Sequence, residues 1–220
     1  MNTTQAATLP TDQSQSLEQN KVLKNTYMLL AMTLLFSAIT AAGSIALALP
    51  HPGLIITLVG YFGLLFLTNK FKDSGKGILC VFALTGFMGY TLGPILSMYW
   101  SQAPGVVMQS LMATGTIFIG MSFYAVTTKK DLGFMGPMLF VGILVAFLAG
   151  LGAIFFEIPA LSLTVSAMFV LLMSAMILYE TNQIVRGGET NYIMATVSLF
   201  VSIFNLFLSL MHLLGFAQSD

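Results

Sequence analysis

Apolar residues gather in seven long runs, near 25–49, 53–69, 77–100, 105–127, 133–156, 160–180 and 193–216, with short polar breaks between them. A helix needs about 20 apolar residues to cross roughly 30 Å of hydrocarbon. The second run is the shortest and spans by tilting less or by borrowing flanking residues. Because the breaks hold only a few residues, neighbouring helices must run antiparallel and share one bundle. The pattern predicts an all-α integral membrane protein, with seven transmembrane helices in a single bundle over residues 25–220. Residues 1–24, MNTTQAATLPTDQSQSLEQNKVLK, are rich in Ser, Thr and Gln and lack the basic start of a secretory signal. They are expected to form a flexible tail. Ala46-Leu47-Ala48 resembles a cleavage site, but it follows a run longer than a signal's apolar region and precedes further spans, so cleavage is not expected.

Charge then orients the bundle. Lys21 and Lys24 precede span one, Lys70, Lys72 and Lys76 follow span two, Lys129 and Lys130 follow span four, and Arg186 follows span six. With seven spans, all eight cations fall on one side. The alternate connections, Pro50-His51-Pro52, Ser101 to Pro104 and Glu157-Ile158-Pro159, carry no Lys or Arg. Cytoplasmic loops collect Lys and Arg, so the N-terminus is expected in the cytoplasm and the C-terminus in the periplasm.

Polar positions inside the runs are periodic. Ser198, Ser202, Asn205, Ser209 and His212 on span seven are spaced 4, 3, 4 and 3 and share one helical face. Lipid offers no hydrogen-bond partners, so this face should turn inward and make the seventh helix central. Span one repeats the pattern with Thr33, Ser37, Thr40 and Ser44, and the two stripes are candidates for packing on each other. Such stripes have two explanations. Hydroxyls bond their own backbone and let helices approach, or they line a hydrated path for a proton or cation, which Asn205 would mark best. Ser166, Phe169, Met173, Met176 and Glu180 share a face of span six that reads as adaptable packing. Gly89 and Gly93 on span three, and Gly142, Ala146 and Gly150 on span five, are spaced for close helix approach. Pro94 should bend span three.

Composition narrows the function. The chain is 57% hydrophobic, with 18 Phe and 15 Met, and its eight basic and eight acidic residues cancel, which leaves no field for nucleic acid. One cysteine, Cys80, cannot form an intramolecular disulfide, and His51 and His212 are too few and too separated for a metal site. No G-x-S-x-G, H-E-x-x-H, G-x-G-x-x-G or Walker A motif occurs, and every lysine lies in a tail or loop. No catalytic residue, cofactor site or metal site is expected, and the chain is not expected to be an enzyme.

Three strings on the last two spans carry more than patterning: Tyr179-Glu180-Thr181-Asn182-Gln183-Ile184, Gly187-Gly188 and Asn205-Leu206-Phe207. With seven spans and an inside N-terminus, the chain resembles the Bax inhibitor-1 family over nearly its whole length. KVLKNTYMLL, PGLIITLVG, GPIL, RGGETNYI and ATVSL resemble its bacterial inner-membrane branch, which modulates the membrane-anchored protease FtsH. The resemblance implies residence in the bacterial inner membrane and partnership with the FtsH complex. That hexameric, ATP- and zinc-dependent protease pulls membrane proteins in by a cytoplasmic end, and Met1 to Asn20 would be that end. By occupying the protease, the protein would spare other membrane proteins from degradation.

The family's channel-like members imply a second activity, a pH-sensitive proton or calcium leak gated by two acids on the last two spans. Carried onto this chain, the first acid is Glu180 and the second position is Ser202. A serine does not ionise, so a proton shared between two carboxylates has no basis here, and calcium would find one carboxylate where it prefers many oxygens. Glu180, Ser202, Asn205 and Arg186 are the candidate polar network. Two placements of Glu180 stand open: the cytoplasmic boundary, if span six ends at Tyr179, or a buried network with Ser202 and Asn205. Gly187-Gly188 is expected to reverse the chain, and Glu189 to be solvated or near Lys129 and Lys130.

Overall fold

A computed structural model describes residues 11–218, with side chains from Leu17 onward. Seven helices follow one another: α1 Thr11–Ala46, α2 Leu54–Phe71, α3 Gly75–Gln102, α4 Pro104–Thr127, α5 Met135–Phe155, α6 Pro159–Arg186 and α7 Tyr192–Ala217. Each contains a stretch long and apolar enough to cross a membrane, and no strand occurs among the described residues. The protein is an all-helical, multi-pass membrane protein.

Local chemistry sets the helix ends. Pro104 and Pro159 open α4 and α6, where proline's fixed φ suits the first turn and its missing N–H leaves no bond unmade. Gly187 closes α6 in the left-handed region, at φ 78°. The N–H of Gly188 then reaches the Gln183 carbonyl at 2.8 Å and satisfies a helix-end acceptor. Asn191 starts α7 by accepting from the backbone N–H groups of Ile193 and Met194 at 3.0 and 3.1 Å, as a good N-cap does. These caps turn the chain within the five residues between α6 and α7.

Over half of the membrane-length stretch of α7 is buried, against 6% for α2 and 17% for α5. It packs on α1, α3, α4 and α6. The main core joins Leu30 of α1, Val81 and Leu84 of α3, and Ile177 of α6 to Leu199, Phe200 and Leu206 of α7. The outer helices α2 and α5 lie against α3 and α6.

Small residues set the closest approaches. A Cβ on Gly89 would overlap the Thr40 hydroxyl and the Ser37 carbonyl of α1, and one on Gly93 would lie 2.7 Å from the Ser44 side chain. On α5, a Cβ on Gly142 would meet Leu172 of α6 at 2.8 Å and one on Gly150 would meet Val165 at 3.4 Å, with Ala146 fully buried between them. The spacing read from the sequence thus marks the α1–α3 and α5–α6 interfaces.

Three expectations need correction. The helix does not wait for residue 25: α1 begins at Thr11, so residues 11–24 are helix rather than flexible tail. Residues 1–10 lie outside the described residues. Span six does not stop at 180 but continues to Arg186, because Glu180, Thr181, Asn182 and Ile184 all find buried surroundings. Lastly, no hydrogen bond joins the hydroxyl stripes of α1 and α7 among the described residues. Thr40 and Ser44 face Gly89, Gly93 and the Tyr90 carbonyl of α3, whereas Ser202 and His212 bond to α6. Meanwhile α3 runs as one helix through Pro94 to Gln102.

Candidate functional site

Glu180 lies nearly two turns before the end of α6 and is 7% exposed, which places it in the bundle rather than at the boundary. The Ser202 hydroxyl on α7 donates to its Oε2 at 3.3 Å, a long bond by the usual measure. Its Oε1 is buried and has no hydrogen-bond partner. Both Glu180 and Ser198 line a small cavity of about 150 Å³, which runs out through Gln183 to Gly188 and Glu189 in the α6–α7 turn. A cavity of that size and polarity suits a few water molecules. Glu189 also accepts the Asn191 backbone N–H at 2.7 Å, so the second carboxylate at this cavity comes from the turn rather than from the face of α7.

The other expected members of the network are elsewhere. Asn205 turns back on its own helix, donating from Nδ2 to the Val201 carbonyl at 2.9 Å. Arg186 is exposed, six residues beyond Glu180 and so about 9 Å along the axis and on another face of the helix. His212 reaches α6 at the far end of the bundle, its Nδ1 2.8 Å from the Ser166 hydroxyl. Ser166 also donates to the Ser162 carbonyl at 3.1 Å. A hydroxyl has one proton, so with that proton on Ser162 the serine accepts from His212 N–H. Such a pair ties two helices and does not activate a nucleophile. Ser209 is buried on the same helix.

The α1 stripe follows the backbone-bonding explanation. Thr33 bonds the Leu30 carbonyl and Thr40 the Ser37 carbonyl, each at 2.9 Å, and Ser44 bonds the Tyr90 carbonyl of α3 at 3.1 Å. Hydroxyls used this way offer little to a passing ion.

Sequence reasoning missed three polar joints on the lysine-bearing side. Asn182 is fully buried; its Oδ1 accepts the Leu132 backbone N–H at 3.0 Å and its Nδ2 donates to the Lys130 carbonyl at 3.2 Å. It therefore clamps the α4–α5 loop to α6. Asn191 donates to the Lys72 carbonyl and the Asp73 carboxylate at 3.2 and 2.9 Å, tying the α2–α3 loop to the start of α7. Tyr27 and Thr181 share a hydrogen bond of 3.2 Å between α1 and α6. The only signal in the sequence was the density of amides in the stretch from Thr181 to Asn191. Among the described residues, no three His, Cys, Asp or Glu gather to hold a metal ion.

Comparison with known proteins matches residues 19–219 to the family model described as "Inhibitor of apoptosis-promoting Bax1". The "Modulator of FtsH protease YccA" of Escherichia coli strain K12 is 52% identical over 210 residues, covering 95% of this chain and 96% of that protein. An "Inner membrane protein YccA" of Escherichia coli O6:H1 matches to the same degree. An uncharacterised protein of Pseudomonas aeruginosa is 49% identical over 205 residues, 92% of each chain. The family match over residues 19–219 and the identity of 52% over nearly the whole chain converge: the chain belongs to the Bax inhibitor-1 family.

Proposed function

We propose that this protein is an inner-membrane regulator that binds the FtsH protease and restrains its degradation of other membrane proteins. The observation that carries this reading is the identity of 52% to a modulator of FtsH, spread over 95% of the chain rather than confined to a motif. In this reading the N-terminus and the lysine-bearing loops face the cytoplasm, the C-terminus faces the periplasm, and α7 is the central helix. The protein catalyses no reaction itself.

The fold supplies a handle for such a partner. With 36 residues, α1 is about 54 Å long at 1.5 Å per residue, well beyond the roughly 30 Å of hydrocarbon. Its first turns carry the exposed Glu18, Asn20 and Lys21, and Gln19 sits against Gly187 in the α6–α7 turn. A helix-borne handle docked at one end of the bundle gives a partner both an end to grip and a folded surface to read. Removing residues 1–20 is expected to abolish co-purification of FtsH from native membranes and to lengthen the protein's half-life severalfold. Removing residues 1–10 alone separates the contribution of that segment from that of the helical handle. Unchanged turnover together with no protease in the wild-type eluate would sink the proposal.

A second reading, a proton or cation leak, draws on the unpartnered Oε1 of Glu180 at a polar cavity. In liposomes, the wild type would then pass ions and Glu180→Gln would reduce the flux by about tenfold or more. Flux equal in the two proteins removes Glu180 from the mechanism, and no flux in either ends this reading.

A further inference from the structure

Between α1 and α4 the bundle leaves a cleft of about 820 Å³. The two helices meet at its inner end, where the Tyr27 and Phe118 rings lie 5.9 Å apart. Beyond that contact α1, α3 and α4 form its walls, and Phe200, Phe204 and Phe207 of α7 form its back. No charged residue lines it. Trp100, 58% exposed, stands at the outer end with Ser97 and Ser101.

We propose that this cleft binds the two tails of one diacyl phospholipid, drawn from the leaflet opposite the lysine-bearing loops. Size argues first. At roughly 30 Å³ for each methylene-sized group, the volume of a water molecule, the cleft holds about 27 carbons, most but not all of the content of two lipid tails. A membrane-crossing helix about 10 Å wide and 30 Å long needs roughly 2,400 Å³, and so does not fit inside. Depth agrees. On α1 the lining runs from Leu34 to Ile45, about 17 Å along the axis, or one leaflet of a 30 Å core.

Polarity runs the right way as well. The deep end is aromatic and aliphatic, and the Thr114 hydroxyl is already committed to the Ser110 carbonyl at 2.7 Å. The outer end presents an indole and two serines at the level of a headgroup, where tryptophan is favoured. A second copy of this chain would have to insert a flat, lipid-facing helix surface into this narrow space, which leaves the deep end unfilled.

The chain offers its own reporter and its own plug. Trp100 is the sole tryptophan, and a Cβ on Gly115 would project into open space within the cleft, with nothing within 4 Å. Gly120, on the same helix but outside the cleft, is equally open and serves as the control. The full chain in detergent is titrated with phosphatidylcholine brominated on its tails close to the headgroup, at the level of Trp100, where bromine quenches tryptophan on contact. Wild type and Gly120→Phe are expected to show saturable quenching at about one lipid per chain. Gly115→Phe should shift the half-quenching concentration upward by about tenfold or more, since its ring occupies the volume of several methylenes. Quenching by Gly115→Phe that matches Gly120→Phe overturns the proposal, as does wild-type quenching that never saturates. A wild-type dimer that Gly115→Phe splits, with quenching unchanged, assigns the cleft to a second copy and likewise overturns it.

Discussion

Gly89→Val is expected to remove most of the protein from the membrane fraction. The added Cβ overlaps the Thr40 hydroxyl and the Ser37 carbonyl, and a backbone carbonyl held in a helix cannot swing aside as a side chain does. Relief requires α1 and α3 to separate, which opens the packing around Val81 and Leu84, both fully buried. Overpacking usually costs 1–3 kcal/mol, and a clash with rigid backbone at a helix crossing belongs at or above about 3 kcal/mol. Gly120→Val adds the same methyl groups where nothing lies within 4 Å, so it should accumulate like the wild type. The measurement is the amount of folded protein extracted from membranes, read as a monodisperse peak in detergent. Equal peaks for the two variants would show that the α1–α3 approach does not hold the bundle together.

Asn182→Ala is expected to lower the unfolding midpoint by several degrees, because two hydrogen bonds vanish at once and the amide of the buried Leu132 loses its acceptor. An orphaned buried donor costs about 1–3 kcal/mol beyond the bond itself, so a loss near 3 kcal/mol is anticipated. Asn182→Asp keeps an acceptor for Leu132 but loses the donor to Lys130, and it should fall between. The local readout is hydrogen exchange in residues 128–134: the Leu132 amide should exchange much faster in Asn182→Ala, while the α7 core around Leu199 stays protected. If exchange there is unaltered, Asn182 is not the clamp. The same joint bears on the proposed function. It fixes the Lys129–Lys130 loop to the helix that carries Glu180, and in the proposed orientation that loop lies on the side of the protease.

Much of the architecture was legible because hydrocarbon is an unforgiving solvent. A chain that cannot leave backbone groups unpaired in lipid must write its helices as long apolar runs, and cations collect in alternate loops. Six of the seven spans were therefore placed to within two residues at their starts, from Leu54 for α2 to Tyr192 for α7. The exceptions fall where the rule is silent. Outside the hydrocarbon nothing forces a polar segment to be either coil or helix, and α1 extends back to Thr11 through residues that read as tail. At the end of α6 the sequence left two placements of Glu180 open, and the helix carries Glu180, Thr181 and Asn182 inward, where Ser202 of α7, Tyr27 of α1 and the α4–α5 loop meet them.

Partner choice among the polar stripes shows the same division. Spacing put Thr33, Ser37, Thr40 and Ser44 on one face and Ser198, Ser202, Asn205, Ser209 and His212 on another, since the helical period is a local property. Which helix each face meets depends on the whole bundle. Gly89 and Gly93 draw α3 onto the first stripe, and Ser166, Glu180 and their neighbours on α6 take the second.

By itself the sequence determined the number of spans, their order, their polar faces and the small residues where helices touch, because each follows from local composition against a fixed solvent. Its strings also identified the family. Only the tertiary structure decided that Glu180 is buried beside Ser202 without Asn205 or Arg186, that Asn182 holds a distant loop, and that α1 and α4 part to leave a cleft. Those outcomes rest on contacts between residues far apart in the chain, which no local period encodes.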